Sequence, residues 1–249
     1  MSELAGAKVA VVMPALNAAR TIEPLVAEIP RDWVDKVIVV DDASTDETLE
    51  VARALDVSVI WHPHNVGYGA NQKTCYLQAL QDDIDIIVML HPDGQYEASL
   101  IPELVRPIAA GEADLVLGSR MRVRGAARAG GMPLYKIAAN RALTTIENRV
   151  MGTELTDLHT GYRAFSRRVL LEVPFLRNSL DFAFDTELLM QAAHFGFRFA
   201  EVPVRSRYFD DASSVSIGPA TVYAFKTIWF GGRLILHRRG LVRSRKLMP

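Results

Sequence analysis

The chain carries a single cysteine, Cys75, in 249 residues. No intramolecular disulfide can form, so a packed core must hold the fold, and a reducing, cytosolic compartment is the natural setting. Long hydrophobic runs are also missing. No stretch of about 18 uncharged apolar residues occurs, so no transmembrane helix is expected. The opening MSELAGAKVAVVMPALN lacks the basic start and extended apolar run of a secretory leader. The net charge of −1 gives no overall attraction to nucleic acid or to a membrane. Internal repeats and low-complexity segments are absent. So are several nucleotide and hydrolase signatures. Gly67-Tyr68-Gly69 lacks the third glycine of a dinucleotide fingerprint and follows the third expected strand, not the first. There is no Walker lysine loop and no G-x-S-x-G elbow. His62 and His64, two apart beside Pro63, read as loop residues and not as zinc ligands.

What is present is an ordinary globular composition, 49% hydrophobic and 23% charged, enough for one large α/β domain or two small ones. Apolar, β-branched segments alternate with helical ones. KVAVVMPALN, KVIVVDD, VSVIWH, DIIVM and ADLVLGSR read as strands. Residues 21–29, a segment from Ser44, a segment ending near Gln81, and SLIPELVRPIAAG read as helices. Ser44 followed by Glu47 has the spacing of a capping box. This alternation predicts a mostly parallel sheet with right-handed crossovers. Cys75, Trp33 and Trp61 are expected in packing positions.

Ligands of such sheets bind beyond the carboxyl ends of the strands. There the sequence gathers PALN, Asp41-Asp42, MLHPDGQY with His91, Asp93 and Gln95, and Gly118-Ser119-Arg120. One acid after a strand is usually a turn former or a cap. Acids, amides and an arginine at several ends of one sheet point instead to a site. Asp93 and Gln95 are oxygen donors suited to Mg²⁺ or Mn²⁺ bridging phosphates. Asp42 suits a ribose or base, and the planar fork of Arg120 suits a diphosphate. Together they describe a site for a nucleoside diphosphate.

Seven segments, VVMPALNAARTI, VIVVDDASTDET, HNVGYGANQKT, MLHPDGQY, VLGSR, DLHTGYRAFSRRVL and FDTELLMQAAHFGFRFAEVPVRSRYF, occur in order between about residues 8 and 216. The chain thereby resembles family 2 inverting glycosyltransferases of the GT-A fold, in the branch of the dolichol-phosphate mannosyltransferases and polyprenyl-phosphate glycosyltransferases. The resemblance implies a nucleotide-sugar donor, a divalent metal, Mg²⁺ or Mn²⁺, and inversion at the anomeric carbon. It implies that Pro14 and Asn17 line the nucleotide pocket and that Asp42 contacts the nucleoside. Asp93 matches the second acid of the D-x-D motif, and Gln95 its metal-binding glutamine. Arg120 and Arg207 match diphosphate-binding arginines, and Lys73 a basic donor-site residue. His91 replaces the first acid of the motif. Either its imidazole contacts the donor, or the metal relies on Asp93, Gln95 and phosphate oxygens.

The second half is expected to shape the acceptor side. Asp157 in DLHTGYRAF either caps a turn or faces the acceptor. Asp185 and Glu187 open a predicted helix, where acids are favourable anyway, and many inverting relatives place a general base near this point. A sugar hydroxyl needs such a base, whereas a phosphate monoester does not. The Arg-rich SRMRVRGAARAGG is either a flap over an anionic acceptor or a solvated loop. Residues 212–249 contain no Asp or Glu and seven Lys or Arg. Phe225, Ile228, Trp229, Gly232, Ile235 and Leu236 fall at helical spacing. This describes a basic amphipathic helix, which either lies on an anionic membrane or packs its stripe on the catalytic domain. The expected division is a catalytic domain over 1–216 and a helical tail over 217–249. The expected activity is transfer to a polyprenyl phosphate by an enzyme held peripherally at the cytoplasmic membrane face. The alternatives are a soluble or glycan acceptor, or a non-catalytic nucleotide-sugar-binding protein.

Overall fold

The computed structural model describes residues 4, 6–206 and 217–248, with the backbone alone for 217–220. Seven strands, β1 (Val9–Ala15), β2 (Lys36–Asp41), β3 (Ser58–Trp61), β4 (Ile86–Met89), β5 (Leu115–Ser119), β6 (Arg163–Ser166) and β7 (Phe199–Pro203), form one sheet. Their order is β3-β2-β1-β4-β6-β5-β7. All neighbouring pairs are parallel except those of β6, which runs antiparallel between β4 and β5. The helices are α1 (Ile22–Ala27), α2 (Thr48–Ala54), α3 (Tyr68–Gln81), α4 (Ile101–Ala109), α5 (Ala126–Ala129), α6 (Leu134–Met151), α7 (Arg167–Glu172), α8 (Ala183–His194) and α9 (Ile217–Arg238).

Successive side chains of a strand point to opposite faces, and the two cores follow that alternation. Val12, Val40, Met89, Leu117 and Phe165 pack against α3, α7, α8 and α9 on one face. Met13, Val39, Val88, Val116 and Ala164 pack against α1, α2 and α4 on the other. β1 is buried along its whole length, as a parallel strand covered on both faces should be. Pro14 is tolerated there because it lies beyond the last β1–β4 pair, Val12↔Met89, where its missing N–H costs no ladder bond to β4.

Two local expectations, for Ser44 and Trp61, are corrected, while Trp33 packs against the core as expected. Ser44 is not a helix cap: α2 begins at Thr48, whose backbone N–H donates to Asp46 Oδ1 at 3.0 Å, and Ser44 Oγ instead accepts from Asn17 N at 2.9 Å. Trp61 is 53% exposed, because it ends the edge strand β3. Trp33 is half-buried under Arg106, whose guanidinium lies 4.9 Å from the ring centroid. Cys75 is buried in α3 as expected.

The tail helix is the larger surprise. α9 crosses α6 and α8, and it buries Thr227, Phe230 and Leu234, the last two in the main core. At Gly231 it faces Val150 of α6 and Met190 of α8, which an added Cβ would meet at ordinary van der Waals distance. The chain then returns: Arg177 donates to the carbonyls of Arg245 and Met248, and Leu247 is buried. The stripe read from the sequence is the other face. Phe225 is 69% exposed and Trp229 53%, and Ile228, Ile235 and Leu236 are exposed beside them. The alternative in which that stripe packs on the catalytic domain is therefore set aside.

Removing the chain after Pro219 is expected to unfold the domain, not to release an appendage. Leu234→Ala should cost about 2–5 kcal/mol, as fully buried leucines do, whereas Ile228→Ala on the exposed face should stay within about 0.5 kcal/mol. Urea unfolding of the two variants checks the contrast.

Candidate active site

The carboxyl edge of the sheet opens into a cavity of about 690 Å³. Its polar lining includes the turn after β4 (His91, Asp93, Gln95), the end of β5 (Arg120), the segment leading into β6 with its first residue (His159, Arg163), and α8 (Asp185), with further polar side chains from α3, α6 and α9. The antiparallel insertion of β6 explains Arg163. Pairing of Met89 with Arg163 puts the first residue of β6 beside the last of β4.

Arg120, Arg163 and Asp185 are each held by other side chains. Arg120 Nε donates to Asp157 Oδ2 at 2.7 Å, and its Nη2 donates to Asp157 Oδ1 at 3.0 Å and to the His159 carbonyl at 2.9 Å. Asn140 of α6 donates to the same Oδ1 at 2.8 Å. Burial by itself would raise the Asp157 carboxyl, but the Arg120 guanidinium and these hydrogen bonds hold it below the usual carboxylate range. Asp185 is held as firmly. Arg163 Nη1 lies 2.7 Å from Oδ1 and Gln72 Nε2 donates to the same atom at 3.0 Å, while the Tyr68 hydroxyl donates to Oδ2 at 2.8 Å. Tyr68 also stacks on His91, with ring centroids 5.4 Å apart and planes at 14°. Burial lowers the pKa of the His91 imidazole, against the opposing pull of Asp93. Gln95 N donates to Asp93 Oδ1 at 3.0 Å, which ties the two oxygen donors into one turn.

Of the residues read from the sequence, His91, Asp93, Gln95, Arg120 and Asp185 meet at this cavity. The others among the described residues do not line it. Asp157 is wholly buried behind Arg120, so it holds that arginine and does not face an acceptor. Glu187 sits two residues after Asp185, about 200° around the helix. It accepts from Ser179 N at 2.7 Å and from Lys246 Nζ at 2.6 Å, away from the cavity. Lys73 reaches the Asn178 carbonyl at 2.5 Å, and its burial lowers its pKa. Asp42 is spent on the β3–α3 loop, accepting from Val66 N at 2.9 Å and Gly67 N at 3.0 Å, with His62 Nδ1 at 2.9 Å. Asn17 is exposed beside it, its amide oxygen accepting from Thr45 N at 2.9 Å. Pro14 is buried within β1. Arg207 lies outside the described residues.

Sequence reasoning missed Tyr68, Lys136, Arg163 and Tyr223. Tyr68 and Arg163 stand inside quoted motifs, NVGYGANQ and DLHTGYR, and only their packing reveals a role. Tyr223 had no signal, since α9 reaches the cavity through tertiary contact alone. Its hydroxyl lies 2.8 Å from His159 Nδ1 and 2.6 Å from Thr186 Oγ1. With Thr221 and Ala224 it makes the tail helix part of the cavity wall. The Arg-rich segment after β5 is not a bare loop either: it carries α5, and Met121, Ala127 and Met132 cluster beside the cavity.

Residues 10–173 match the Glycosyl transferase family 2 model. The chain belongs to glycosyltransferase family 2. It is similar to the UDP-N-acetylglucosamine–dolichyl-phosphate N-acetylglucosaminyltransferase of Methanococcus voltae, at 27% identity over 93% of this chain and 96% of that one. It is similar also to the dolichyl-phosphate hexose transferase of Haloferax volcanii, at 31% identity over 83% and 86%. The polyprenol monophosphomannose synthase of Mycolicibacterium smegmatis matches at 27% identity over 94% and 91%. Among solved structures, glucosyl-3-phosphoglycerate synthase from Mycobacterium tuberculosis, in complex with Mn²⁺, uridine diphosphate and phosphoglyceric acid, superposes with a TM-score of 0.71. It is 24% identical, covering 98% of this chain and 82% of that one, which fixes the fold. The GT-A architecture is thus the expected one, and the protein is a glycosyltransferase.

Asp157→Asn is expected to destabilise the enzyme by about 3–5 kcal/mol, because Arg120 would be left buried without its counter-charge. A carboxyl depressed in the folded state stabilises fully above its unfolded value, about pH 4, and loses that contribution as pH falls through the folded one. The gap between wild type and variant in urea unfolding should therefore be constant from pH 5 to 8 and shrink only below pH 4.

Proposed function

We propose that this enzyme transfers a sugar, with inversion, from a nucleotide-diphosphate donor to a polyprenyl phosphate at the cytoplasmic face of a membrane. The observation that carries this reading is the state of its acids. Asp157, Asp185 and Glu187 were the candidates for a base toward a sugar hydroxyl, and all three are committed to protein donors. A phosphate monoester needs no base, since its second ionisation lies near pH 6. The names of the relatives, acting on dolichyl and polyprenol phosphates, support the same acceptor.

Asp93 and Gln95 fit a hard divalent cation, Mg²⁺ or Mn²⁺: they are oxygen donors on one turn at the cavity. Among the described residues no three His, Cys, Asp or Glu side chains converge on a metal position, so donor phosphates would complete the shell. When bound, the ion neutralises charge on the departing diphosphate. Arg120, and by the family resemblance Arg207, orient that diphosphate. Lys136 of α6 lines the cavity with no partner among the described residues, which suits the acceptor phosphate. A phosphate oxygen attacks the anomeric carbon on the face opposite the diphosphate, and the bond from that carbon to the donor oxygen breaks. The electron pair leaves on the nucleoside diphosphate, and no proton moves.

Attachment follows from the outward face of α9. No helix among the described residues is long and apolar enough to cross a membrane. The exposed stripe of Phe225, Ile228, Trp229, Ile235 and Leu236 is followed by exposed Leu241 and by Arg239, Arg243 and Arg245, whose side chains have no partner among the described residues. Each such basic residue contributes about 1 kcal/mol near an anionic leaflet, and the stripe supplies apolar area. Because Tyr223 and Ala224 on the same helix line the cavity, a bilayer under the stripe would meet the mouth of the site.

Incubation with a panel of nucleotide sugars and a polyprenyl phosphate should give a sugar-phosphate lipid. Asp93→Asn or excess chelator should abolish it with thermal unfolding unchanged. Full activity in chelator, or transfer confined to acceptors without phosphate, overturns the reading.

Phe225→Glu with Trp229→Glu should release the folded enzyme from anionic vesicles, and salt should weaken binding of the wild type. Equal sedimentation of wild type and variant would remove α9 from the membrane surface.

A further inference from the structure

The tautomer of His91 can be read from its neighbours. Asp185 accepts from Arg163 and Gln72 at Oδ1 and from the Tyr68 hydroxyl at Oδ2, 2.8 Å away. A phenol has one hydrogen, and that hydrogen is committed to Asp185. The Tyr68 oxygen also lies 3.2 Å from His91 Nε2, so there it accepts and Nε2 carries the proton. A neutral imidazole has one N–H, which leaves Nδ1 with a bare lone pair. Nδ1 makes no hydrogen bond among the described residues. The ring cannot swing to bury it. Tyr68 stacks along one face, and a Cβ placed at Gly161 would lie 2.6 Å from His91 Cδ2, so the Nε2–Cδ2 edge is seated against backbone.

We infer that His91 is a nitrogen ligand of the divalent ion through Nδ1, with Tyr68 and Asp185 as the positioning residues that fix its tautomer. The inference rests on the metal-dependent reading given above. His91, Asp93 and Gln95 alternate along one turn, and all three line the cavity. Ligating histidines donate their other ring N–H to a carboxylate, a backbone carbonyl or water; here the Tyr68 hydroxyl takes the place of the water and relays to the Asp185 carboxylate. Where relatives offer an acid, this site offers an imidazole, so the donor set becomes one nitrogen and two oxygens. Imidazole suits transition ions, while Mg²⁺ prefers oxygen. The site should therefore favour Mn²⁺ over Mg²⁺ more strongly than its His91→Asp variant does.

The test is pulsed EPR of the full chain with Mn²⁺, in separate samples with uridine diphosphate and guanosine diphosphate. Wild type should show nitrogen-14 modulation on bound Mn²⁺. His91→Asp should keep Mn²⁺ and lose the modulation. Tyr68→Phe, which removes the hydroxyl that orients the ring, should weaken Mn²⁺ about 10-fold in titrations followed by the free-ion signal. Bound Mn²⁺ without nitrogen modulation in wild type, or modulation that survives in His91→Asp, overturns the inference and leaves the metal-dependent reading standing. Absence of bound Mn²⁺ in every wild-type sample overturns both.

Discussion

The site is organised around the buried pair between Arg163 and Asp185. Two charges out of water cost several kcal/mol each unless they are paired and their remaining donors and acceptors are met. Here the pairing is 2.7 Å, and Gln72 and Tyr68 complete the carboxylate. The Arg163 Nε finds no hydrogen-bond partner, so the arginine depends all the more on Asp185. The pair joins β6, α8 and α3 at one point. Through Tyr68 it also fixes the ring of His91, and so the chemistry offered at the end of β4.

A second pair, Arg120 with Asp157, repeats the device on the other side of β6. In both cases an acid that the chain places near the cavity is paired with a cation that lines it. Asn140 joins that second pair from α6. The cavity wall is thus a frame of paired charges in which Asp157 and Asp185 are already taken by protein donors. Such a frame suits reactants that arrive already ionised. Preorganised charge of this kind acts where charge develops and needs no reorganisation during reaction.

α9 connects the frame to its surroundings because it has two apolar faces. One buries Phe230 and Leu234 in the same core that holds Leu117 and Phe165 of the central sheet. The other leaves Phe225, Ile228 and Trp229 in solvent, with Arg233 stacked 4.8 Å over the Trp229 ring. Lys246 pairs with Glu187 and lies over Phe230, so the end of the chain clamps the inner face. What touches the outer face is therefore mechanically continuous with the cavity wall at Tyr223.

The sequence by itself determined β1 to β5 and their order of occurrence, because apolar runs and turn residues are local signals; β6 and β7 were not read from it. It also determined that His91, Asp93, Gln95 and Arg120 stand at one sheet edge, because parallel crossovers put all strand ends there. The outward stripe of α9 was legible for the same reason, as a spacing along one helix. Which acids face the cavity was not legible. Asp185 and Glu187 are two residues apart in sequence, and only helical phase against a packed neighbour separates the one that lines the site from the one that binds Lys246. Asp42 and Asp157 looked available because their partners, the Val66 and Gly67 amides and the Arg120 guanidinium, are 24 to 37 residues away. The inner face of α9 stayed hidden because Phe230 and Leu234 are simply apolar residues off the more obvious stripe. The antiparallel place of β6, which brings Arg163 to Met89, follows from pairing across 74 residues, and no local pattern encodes a partner that distant.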